Sequence, residues 1–243
     1  MSDRGTQGDA NSGCVRWIGV ADAAALRQAA QRRILDAAEC AIKQRGQFLI
    51  VLAGGNTPRD IYRMLQTADT DWSRWQVYFG DERCLPAADA ARNNQMAADA
   101  WLNHVPIPQQ QIHVIPTELG ANAAALAYAE TLRGIGDFDM VLLGLGEDGH
   151  TASLFPGLDW GVEARAPDVL AVFNAPKPPS QRVSLSASRL SRTFKALFMI
   201  EGEAKHRAVA RWRADEPLPA TAIQPAGGVD VLVESELLGP STE

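Results

Sequence analysis

The sequence predicts an α/β fold in which a mostly parallel sheet is covered by helices on both faces. Two observations lead to this prediction. Ala-rich segments with helical spacing of apolar residues alternate with short apolar runs, and these runs are apolar at nearly every position. Strands that are apolar on both faces are typical of a parallel sheet between helical layers. Hydrophobic residues at 46% and charged residues at 21% of the 243 residues are ordinary for a globular protein.

The predicted helices and strands take turns along the chain. One predicted helix has apolar residues at helical spacing, namely Leu26, Ala30, Ile34, Ala38 and Ile42, and another spans Ala121 to Leu132. The predicted strands are the apolar runs Phe48 to Ala53, Val77 to Phe79, Ile112 to Ile115, Met140 to Leu143, Val169 to Phe173, Leu197 to Ile200 and Val229 to Val233. Because ligands bind beyond the carboxyl ends of parallel strands, the residues after each run are candidates for a functional site.

Composition and charge exclude several classes of protein. The apolar runs are far shorter than the roughly 20 residues of a membrane span. Residues 1–13 are polar, which predicts a flexible N-terminus before a single domain from residue 14 to residue 243. A net charge of -6 gives no general attraction for nucleic acid or anionic lipid. The cysteines, Cys14, Cys40 and Cys84, are odd in number and far apart, which favours reduced thiols in the cytoplasm.

The first candidate segment is Gly54-Gly55-Asn56-Thr57, which follows a predicted strand and opens a predicted helix. Thr57 suits the N-cap and Pro58 the first helical position. Two glycines before that cap let backbone N–H groups approach an anion at the positive end of the helix, which suits phosphate. An ordinary strand-to-helix turn explains the same residues equally well.

Charged residues follow two further runs. Asp81-Glu82-Arg83 stands directly after Val77 to Phe79, where Arg83 could hold a phosphate or a developing oxyanion. Arg182 borders a strand-like segment, and Lys205 begins a helix after a predicted strand, so both could converge on a phosphate. Considered singly, a solvated loop or a surface cation is the simpler interpretation of each.

A glycine-rich segment follows the Met140 to Leu143 run. Gly144, Gly146 and Gly149 satisfy the GxGxxG pattern of dinucleotide-binding proteins. The acidic pair Glu147-Asp148 would repel a pyrophosphate, and Asp168 precedes its strand, whereas a ribose-binding acid would end it. We therefore reject a nicotinamide site.

The same segment presents one histidine, His150, beyond the end of a predicted strand. An imidazole has a reference pKa of about 6.5 and can accept a proton near neutral pH. Asp148, two residues before it, could set the tautomer or orientation of the ring. A structural or surface histidine is the alternative, and it is the interpretation preferred for His104, His113 and His206.

In these residues the sequence resembles the 6-phosphogluconolactonase family, enzymes of the oxidative pentose phosphate pathway. The likeness covers Val51 to Lys205, and the run from Gly144 to Gly157 is similar to the family signature without a gap. The resemblance implies a single-domain, Rossmann-like, three-layer α/β/α fold with a mostly parallel sheet and no cofactor or metal. It also implies hydrolysis of 6-phospho-D-glucono-1,5-lactone to 6-phospho-D-gluconate.

The resemblance also implies roles for individual residues. His150 would be the catalytic base that activates water, with Asp148 and Asp81 as its acidic neighbours, and Arg83 would be a further catalytic residue that faces the substrate. The phosphate would be bound by Gly54, Gly55, Asn56, Thr57, Arg182 and Lys205. Ala53 and Asn56 replace two serines that the family usually has, which removes hydroxyl groups and leaves the backbone donors unchanged. Arg92-Asn93 stands where the family usually has Ser-Asn, so only Asn93 carries over.

Two other functions remain as alternatives. A sugar-phosphate isomerase or deaminase of the same fold would resemble the Asp-Gly-His segment, but such deaminases place a glutamate where this chain has Phe155. A non-catalytic phosphosugar sensor would need a further segment, such as a DNA-binding one, for which a single domain has no spare length. The expected partner is a small phosphorylated sugar lactone, with no nucleic acid and no membrane. We expect a cytoplasmic monomer, with a homodimer as the alternative.

Overall fold

The computed structural model describes residues 15–239, which contain ten strands and six α-helices. In chain order the strands are β1 (Val15–Val20), β2 (Phe48–Leu52), β3 (Trp75–Phe79), β4 (Asp81–Arg83), β5 (Ile112–His113), β6 (Phe138–Leu143), β7 (Val169–Val172), β8 (Arg182–Leu185), β9 (Thr193–Ile200) and β10 (Val229–Glu234). The helices are α1 (Ala23–Arg45), α2 (Asn56–Leu65), α3 (Asn93–Ala100), α4 (Ala121–Thr131), α5 (Ala187–Ser191) and α6 (His206–Arg213).

The main sheet is parallel throughout and has the strand order β1-β10-β9-β6-β2-β3-β5 within the described range. Every residue of the central strands β2 and β6 is buried, so both faces of the sheet are covered. The α/β prediction is confirmed. From β2 the chain continues to β3 and β5 on one side, and from β6 it continues to β9 and β10 on the other. The carboxyl ends of β2 and β6 therefore form the switch point at which open α/β sheets bind ligands.

A second, antiparallel sheet of β4, β8 and β7 lies beside the main one. The simpler interpretation of Asp81 to Arg83 as a solvated loop is wrong, because these residues form β4 and its first two side chains are buried. The run from Val169 forms β7 of this small sheet and does not join the parallel one. Gly80 links the two sheets: its N–H donates to the carbonyl of Leu52 (3.0 Å) and its carbonyl accepts from Leu185 (2.8 Å).

The long helix α1 shows how the sequence sets an element. The side chain of Asp22 accepts a hydrogen bond from the Ala25 N–H (2.8 Å), and the helix ends at Gly46 in the left-handed region (φ 78°). The apolar residues at helical spacing, Leu26, Ala30, Ile34 and Ala38, are all 0% exposed. The predicted buried face is confirmed at these four positions, and it packs against the sheet.

Further predictions concern the N-terminus, the cysteines, membrane spans and metal sites. The predicted flexible N-terminus, residues 1–13, and Cys14 lie outside the described residues. Cys40 and Cys84 are free thiols. Between residues 15 and 239, no helix is both long enough and apolar enough to cross a bilayer. Over the same range, no three His, Cys, Asp or Glu side chains are grouped so that they could hold a metal ion.

Candidate active site

A cavity of about 420 Å³ opens at the switch point, a volume typical of sites for small ligands. Its walls come from the segments after β2, β6 and β9 and from the small sheet. All the predicted site residues except Asp148 line this cavity, namely Gly54, Gly55, Asn56, Thr57, Asp81, Arg83, His150, Arg182 and Lys205. Residues up to 151 positions apart in sequence, such as Gly54 and Lys205, thus meet at one place.

The segment after β2 presents the start of α2 to the cavity. The helix begins at Asn56 with Gly55 as its N-cap, so the prediction of an N-cap at Thr57 is wrong by two residues. Gly55 has a φ of 109°, which favours glycine, and it turns the chain into the helix without a side-chain cap. Because Pro58 lacks an N–H, the backbone donors in the first turn are those of Asn56 and Thr57.

The glycine pair is held from two sides. The hydroxyl of Tyr62, on α2, accepts from the N–H of Ala53 (3.0 Å) and donates to its carbonyl (2.9 Å). A Cβ atom on Gly54 would lie 2.0 Å from Oδ1 of Asn93, so the loop passes too close to Asn93 for any other residue. The contact with Asn93 is long-range, that of Tyr62 spans nine residues, and the sequence prediction did not include Tyr62.

His150 lies on the loop after β6, in contact with Asp148 and Phe155. Its Nδ1 is 2.5 Å from Oδ1 of Asp148, and its ring centroid is 4.7 Å from that of Phe155. A carboxylate that accepts from Nδ1 places the ring proton there and leaves a lone pair on Nε2. Within residues 15–239, no protein group is hydrogen-bonded to Nε2. Of the two carboxylates predicted near this ring, Asp148 is the one that orients it.

The surroundings favour the neutral form of the imidazole. Burial is the largest effect and lowers the pKa of His150 below its usual value, and the positive charge of Lys177 lowers it further. The hydrogen bond and charge of Asp148 and the charge of Asp81 act in the opposite direction and raise this pKa. Burial acts to raise the pKa of Asp148, but the hydrogen bond and charge of His150 outweigh burial and hold that pKa below its usual value. The result near neutral pH is a carboxylate beside a neutral imidazole that can accept a proton.

The glycine-rich segment makes room for this pair. A Cβ atom on Gly146 would lie 1.9 Å from Nδ1 of His150 and 2.6 Å from Oδ1 of Asp148. The N–H of Gly146 donates to the carbonyl of His150 (2.7 Å), which closes a tight loop. Turns follow this loop in place of the helix that a dinucleotide fingerprint requires.

Asp81 belongs to a separate buried network. The side chain is 7% exposed, and its Oδ2 accepts from the hydroxyl of Ser153 (2.5 Å) while its Oδ1 accepts from Nδ2 of Asn93 (3.1 Å). Nη1 of Arg182 approaches the Ser153 hydroxyl at 3.5 Å. Asp81 therefore acts on His150 through its charge and not through a hydrogen bond. Ser153 lies within the predicted signature, but its contact with Asp81 could not be inferred from the sequence.

Lysine and arginine side chains supply positive charge to the cavity wall. Burial lowers the pKa of Lys205, the charge of Glu147 opposes this, and Lys177 adds to it. Nη1 of Arg83 donates to the carbonyl of Ala91 (2.5 Å). Lys177 also lines the cavity, and the sequence prediction missed it because its Pro-rich segment was treated as a plain loop. A cation between prolines, on a connection between two strands, is the signal that could have identified it.

The fold and the site define an α/β enzyme with a histidine–carboxylate pair that acts on a small anionic ligand. The chain belongs to the family "Glucosamine-6-phosphate isomerases/6-phosphogluconolactonase", whose model matches residues 21–232. It is 36% identical over 222 residues to a 6-phosphogluconolactonase of Mycobacterium leprae, covering 86% of this chain and 89% of that protein. The family resemblance seen in the sequence is confirmed.

Solved structures agree with this assignment. A 6-phosphogluconolactonase of Thermotoga maritima matches with a TM-score of 0.84 and 25% identity, covering 91% of this chain and 100% of that one. The 6-phosphogluconolactonase of Trypanosoma brucei matches with a TM-score of 0.81 and 27% identity, covering 93% of this chain and 98% of that one.

Proposed function

We propose that this chain hydrolyses 6-phospho-D-glucono-1,5-lactone to 6-phospho-D-gluconate, a step of the oxidative pentose phosphate pathway, with His150 as the base that activates water. The relatives reported above carry the name of this activity. One observation supports the role of His150 most strongly. Its ring is oriented by Asp148 at the switch point, and among residues 15–239 no group is hydrogen-bonded to Nε2, in a cavity that cations also line.

The proposed reaction has two steps. Nε2 of His150 takes a proton from water while the water oxygen bonds to C1 of the lactone, and the carbonyl electron pair moves onto the carbonyl oxygen. The tetrahedral intermediate then collapses, the bond between C1 and the ring oxygen breaks, and His150 returns the proton to that ring oxygen. The carboxylate of Asp148 stabilises the imidazolium that exists between the two steps.

The phosphate group fits the start of α2 and Lys205. The backbone N–H groups of Asn56 and Thr57 lie in the first turn of α2, where the partial positive charge of the helix N-terminus favours an anion. Lys205 is half-buried at the cavity wall and its ammonium adds a full charge. Arg182 is predicted to contribute as well. These groups would hold the phosphate of the lactone while C1 lies near His150.

Phe155 favours lactone hydrolysis over an amino-sugar deaminase. Its side chain is 0% exposed and packs against His150, with Cζ of Arg182 5.5 Å from its ring centroid. An apolar ring at this position has no proton to transfer, unlike the glutamate of the deaminases. Release of ammonia from glucosamine 6-phosphate by this chain would reverse the choice.

A pH-stat assay with freshly generated lactone tests the proposal, because spontaneous hydrolysis sets a measurable background. We expect the phosphorylated lactone to be hydrolysed far faster than gluconolactone, since Lys205 and the α2 N-terminus bind only the phosphorylated form. Lys205→Met should raise KM for the phosphorylated lactone most strongly and leave KM for gluconolactone nearly unchanged. Equal efficiency on both lactones would contradict a phosphate-anchored site.

We also propose that the chain acts as a monomer in the cytoplasm. The histidine–carboxylate pair and the lining cations come from one chain, so the described site needs no residue from a second copy. Reduced thiols, as predicted from the cysteine pattern, fit a cytoplasmic protein. Sedimentation at several concentrations would distinguish the monomer from the homodimer.

A further inference from the structure

Arg182 uses most of its hydrogen-bond donors on one loop. Its Nε donates to the carbonyl of Pro179 (3.2 Å), and its Nη2 donates to the carbonyls of Lys177 (3.1 Å) and Pro178 (3.3 Å). The residue is 6% exposed. A guanidinium has five N–H donors, so these three bonds leave the two donors of Nη1, one of which approaches the Ser153 hydroxyl. Arg182 therefore holds the loop with Nε and Nη2, and only Nη1 remains for the predicted contact with the phosphate.

The loop that Arg182 holds carries Lys177 at the cavity wall. Pro176, Pro178 and Pro179 restrict the backbone on both sides of this lysine. The side chain of Lys177 is exposed, and within residues 15–239 it makes no hydrogen bond or ion pair. Its charge reaches both His150 and Lys205. Lys177 thus lies near the proposed base and near the proposed phosphate anchor.

Negative charge occurs at two places during the reaction, the phosphate and the carbonyl oxygen of C1, and within residues 15–239 the ammonium groups of two lysines of the cavity wall make no hydrogen bond or ion pair. Arg83 gives one donor to a backbone carbonyl and Arg182 gives three to the loop, so protein contacts fix both guanidinium groups, whereas the ammonium groups of Lys177 and Lys205 make no hydrogen bond or ion pair in the described part of the chain. The phosphate carries charge before the reaction. The carbonyl oxygen at C1 gains charge only when water adds, and it does so beside His150.

We propose that Lys177 is a further catalytic residue, whose ammonium group binds the carbonyl oxygen of C1 and stabilises the oxyanion that forms there. The inference rests on the proposed lactone hydrolysis and names a group that the sequence left unassigned. Lys177 keeps its proton throughout and forms no covalent bond. The proton from water travels to His150 and then to the ring oxygen, as described above. A cation aimed at developing charge lowers the barrier because it interacts more strongly with the transition state than with the lactone.

The experiment compares Lys177→Met and Lys177→Arg with Lys43→Met, which removes an exposed lysine of α1 outside the cavity. We expect Lys177→Met to lower kcat by about 100-fold, the loss typical of an oxyanion donor, with little change in KM. Lys177→Arg should recover part of kcat because it keeps the charge. Lys43→Met should match the unsubstituted protein, and thermal unfolding checks that all variants are folded.

A pH profile gives a second readout. The charged groups that act on His150 are Asp148, Asp81 and Lys177, and of these only Lys177 acts against its protonation. Removing the ammonium in Lys177→Met should therefore raise the pKa of His150 and move the acid limb of kcat/KM to higher pH. Lys177→Arg should leave this limb in place.

Three outcomes overturn the inference. An unchanged kcat in Lys177→Met would remove the residue from catalysis, and a rise in KM alone would make it a phosphate ligand. If kcat falls equally in Lys177→Met and Lys177→Arg and the acid limb of kcat/KM does not move in either variant, Lys177 has a packing role. The proposed function is judged separately. If the unsubstituted protein does not hydrolyse the lactone faster than the spontaneous rate, the proposed function is wrong. If hydrolysis depends on His150 but Lys177→Met has a normal kcat, only the inference about Lys177 is wrong.

Discussion

At the scale of single residues, the chemistry of the site is concentrated in His150 and Asp148, which are two positions apart. Such a short separation makes their contact local, and both residues were predicted from the sequence together. The contacts of Asp81 with Ser153 and of Tyr62 with Ala53 depend on how separate elements pack, so no spacing in the sequence indicates them. Arg182 is hydrogen-bonded to the loop of Lys177, and this contact, although local in sequence, leaves no pattern that places the lysine at the cavity.

Replacing His150 by alanine is expected to lower kcat by about 10²–10⁴-fold, the usual contribution of a general base. The variant should still bind 6-phosphogluconate, because Lys205 and the N-terminus of α2 are untouched. A coupled assay measures the rate and titration calorimetry measures binding. His104→Ala is a matched control, since this histidine is exposed and lies outside the cavity. Near-normal turnover by His150→Ala would remove the residue from the mechanism.

Asp148→Asn tests the orientation of the ring. The carboxylate raises the pKa of His150, so its removal should lower that pKa and move the acid limb of kcat/KM to lower pH. The maximum rate should fall by about 10²–10⁴-fold, because an amide can donate to Nδ1 and so select the tautomer with a proton on Nε2. This pH shift is opposite in sign to that expected for Lys177→Met. A shift of the limb to higher pH would show that Asp148 does not support the protonated ring.

At the scale of elements, helices and strands that leave a local apolar pattern could be predicted from the sequence, and strands that depend on their pairing or lie at a sheet edge could not. The buried runs of β2 and β6 and the apolar face of α1 were predicted because burial on defined faces leaves a pattern in the chain. β4 was missed because it is short and fully charged, and it is a strand only through its pairing with β8. β1 was missed because its exposure as an edge strand gives it no continuous apolar run.

The loop after β6 depends on the absence of a side chain at Gly146. Gly146→Ala would place a methyl group where the ring of His150 and the carboxylate of Asp148 now lie, so the ring must move. We expect kcat to fall by about 100-fold, as displacements of about 1 Å can produce. Gly136→Ala is the control, because a Cβ atom there meets nothing within 4 Å. Equal kcat values for the two variants would refute the steric role of Gly146.

Glu82 joins β4 to α3 and so sets the position of Asn93. Its carboxylate accepts from the N–H groups of Asn93 (2.7 Å), Asn94 (2.8 Å) and Arg83 (2.9 Å), and the side chain is 1% exposed. Glu82→Ala should lower the free energy of unfolding by about 2–4 kcal/mol, because each buried donor left unpaired costs roughly 1–3 kcal/mol. Glu82→Gln retains an acceptor oxygen and should lose less. Urea denaturation measures both, and unchanged stability of Glu82→Ala would refute the capping role.

At the scale of the whole molecule, the cavity depends on both sheets. The main sheet supplies the segments that carry Gly54, His150 and Lys205, and the small sheet supplies Asp81 and Arg182. Gly80 is the only residue between β3 and β4, and it is hydrogen-bonded to each sheet. The two sheets therefore share backbone contacts as well as a ligand site. That arrangement supports the prediction of a single domain. A single domain is expected to unfold as one cooperative unit.

A ligand should stabilise the two sheets together. At a concentration of 6-phosphogluconate 100 times its Kd, binding stabilises the native state by about 2.7 kcal/mol, which corresponds to a rise in Tm of about 5–10 °C for a chain of this size. Because the cavity spans both sheets, we expect one calorimetric transition that moves as a whole, with equal calorimetric and van't Hoff enthalpies. Gluconate, which lacks the phosphate, should produce a much smaller shift, and Lys205→Met should reduce the shift with 6-phosphogluconate. Two transitions, of which the ligand moves only one, would show that the small sheet unfolds separately and that the single-domain prediction is wrong.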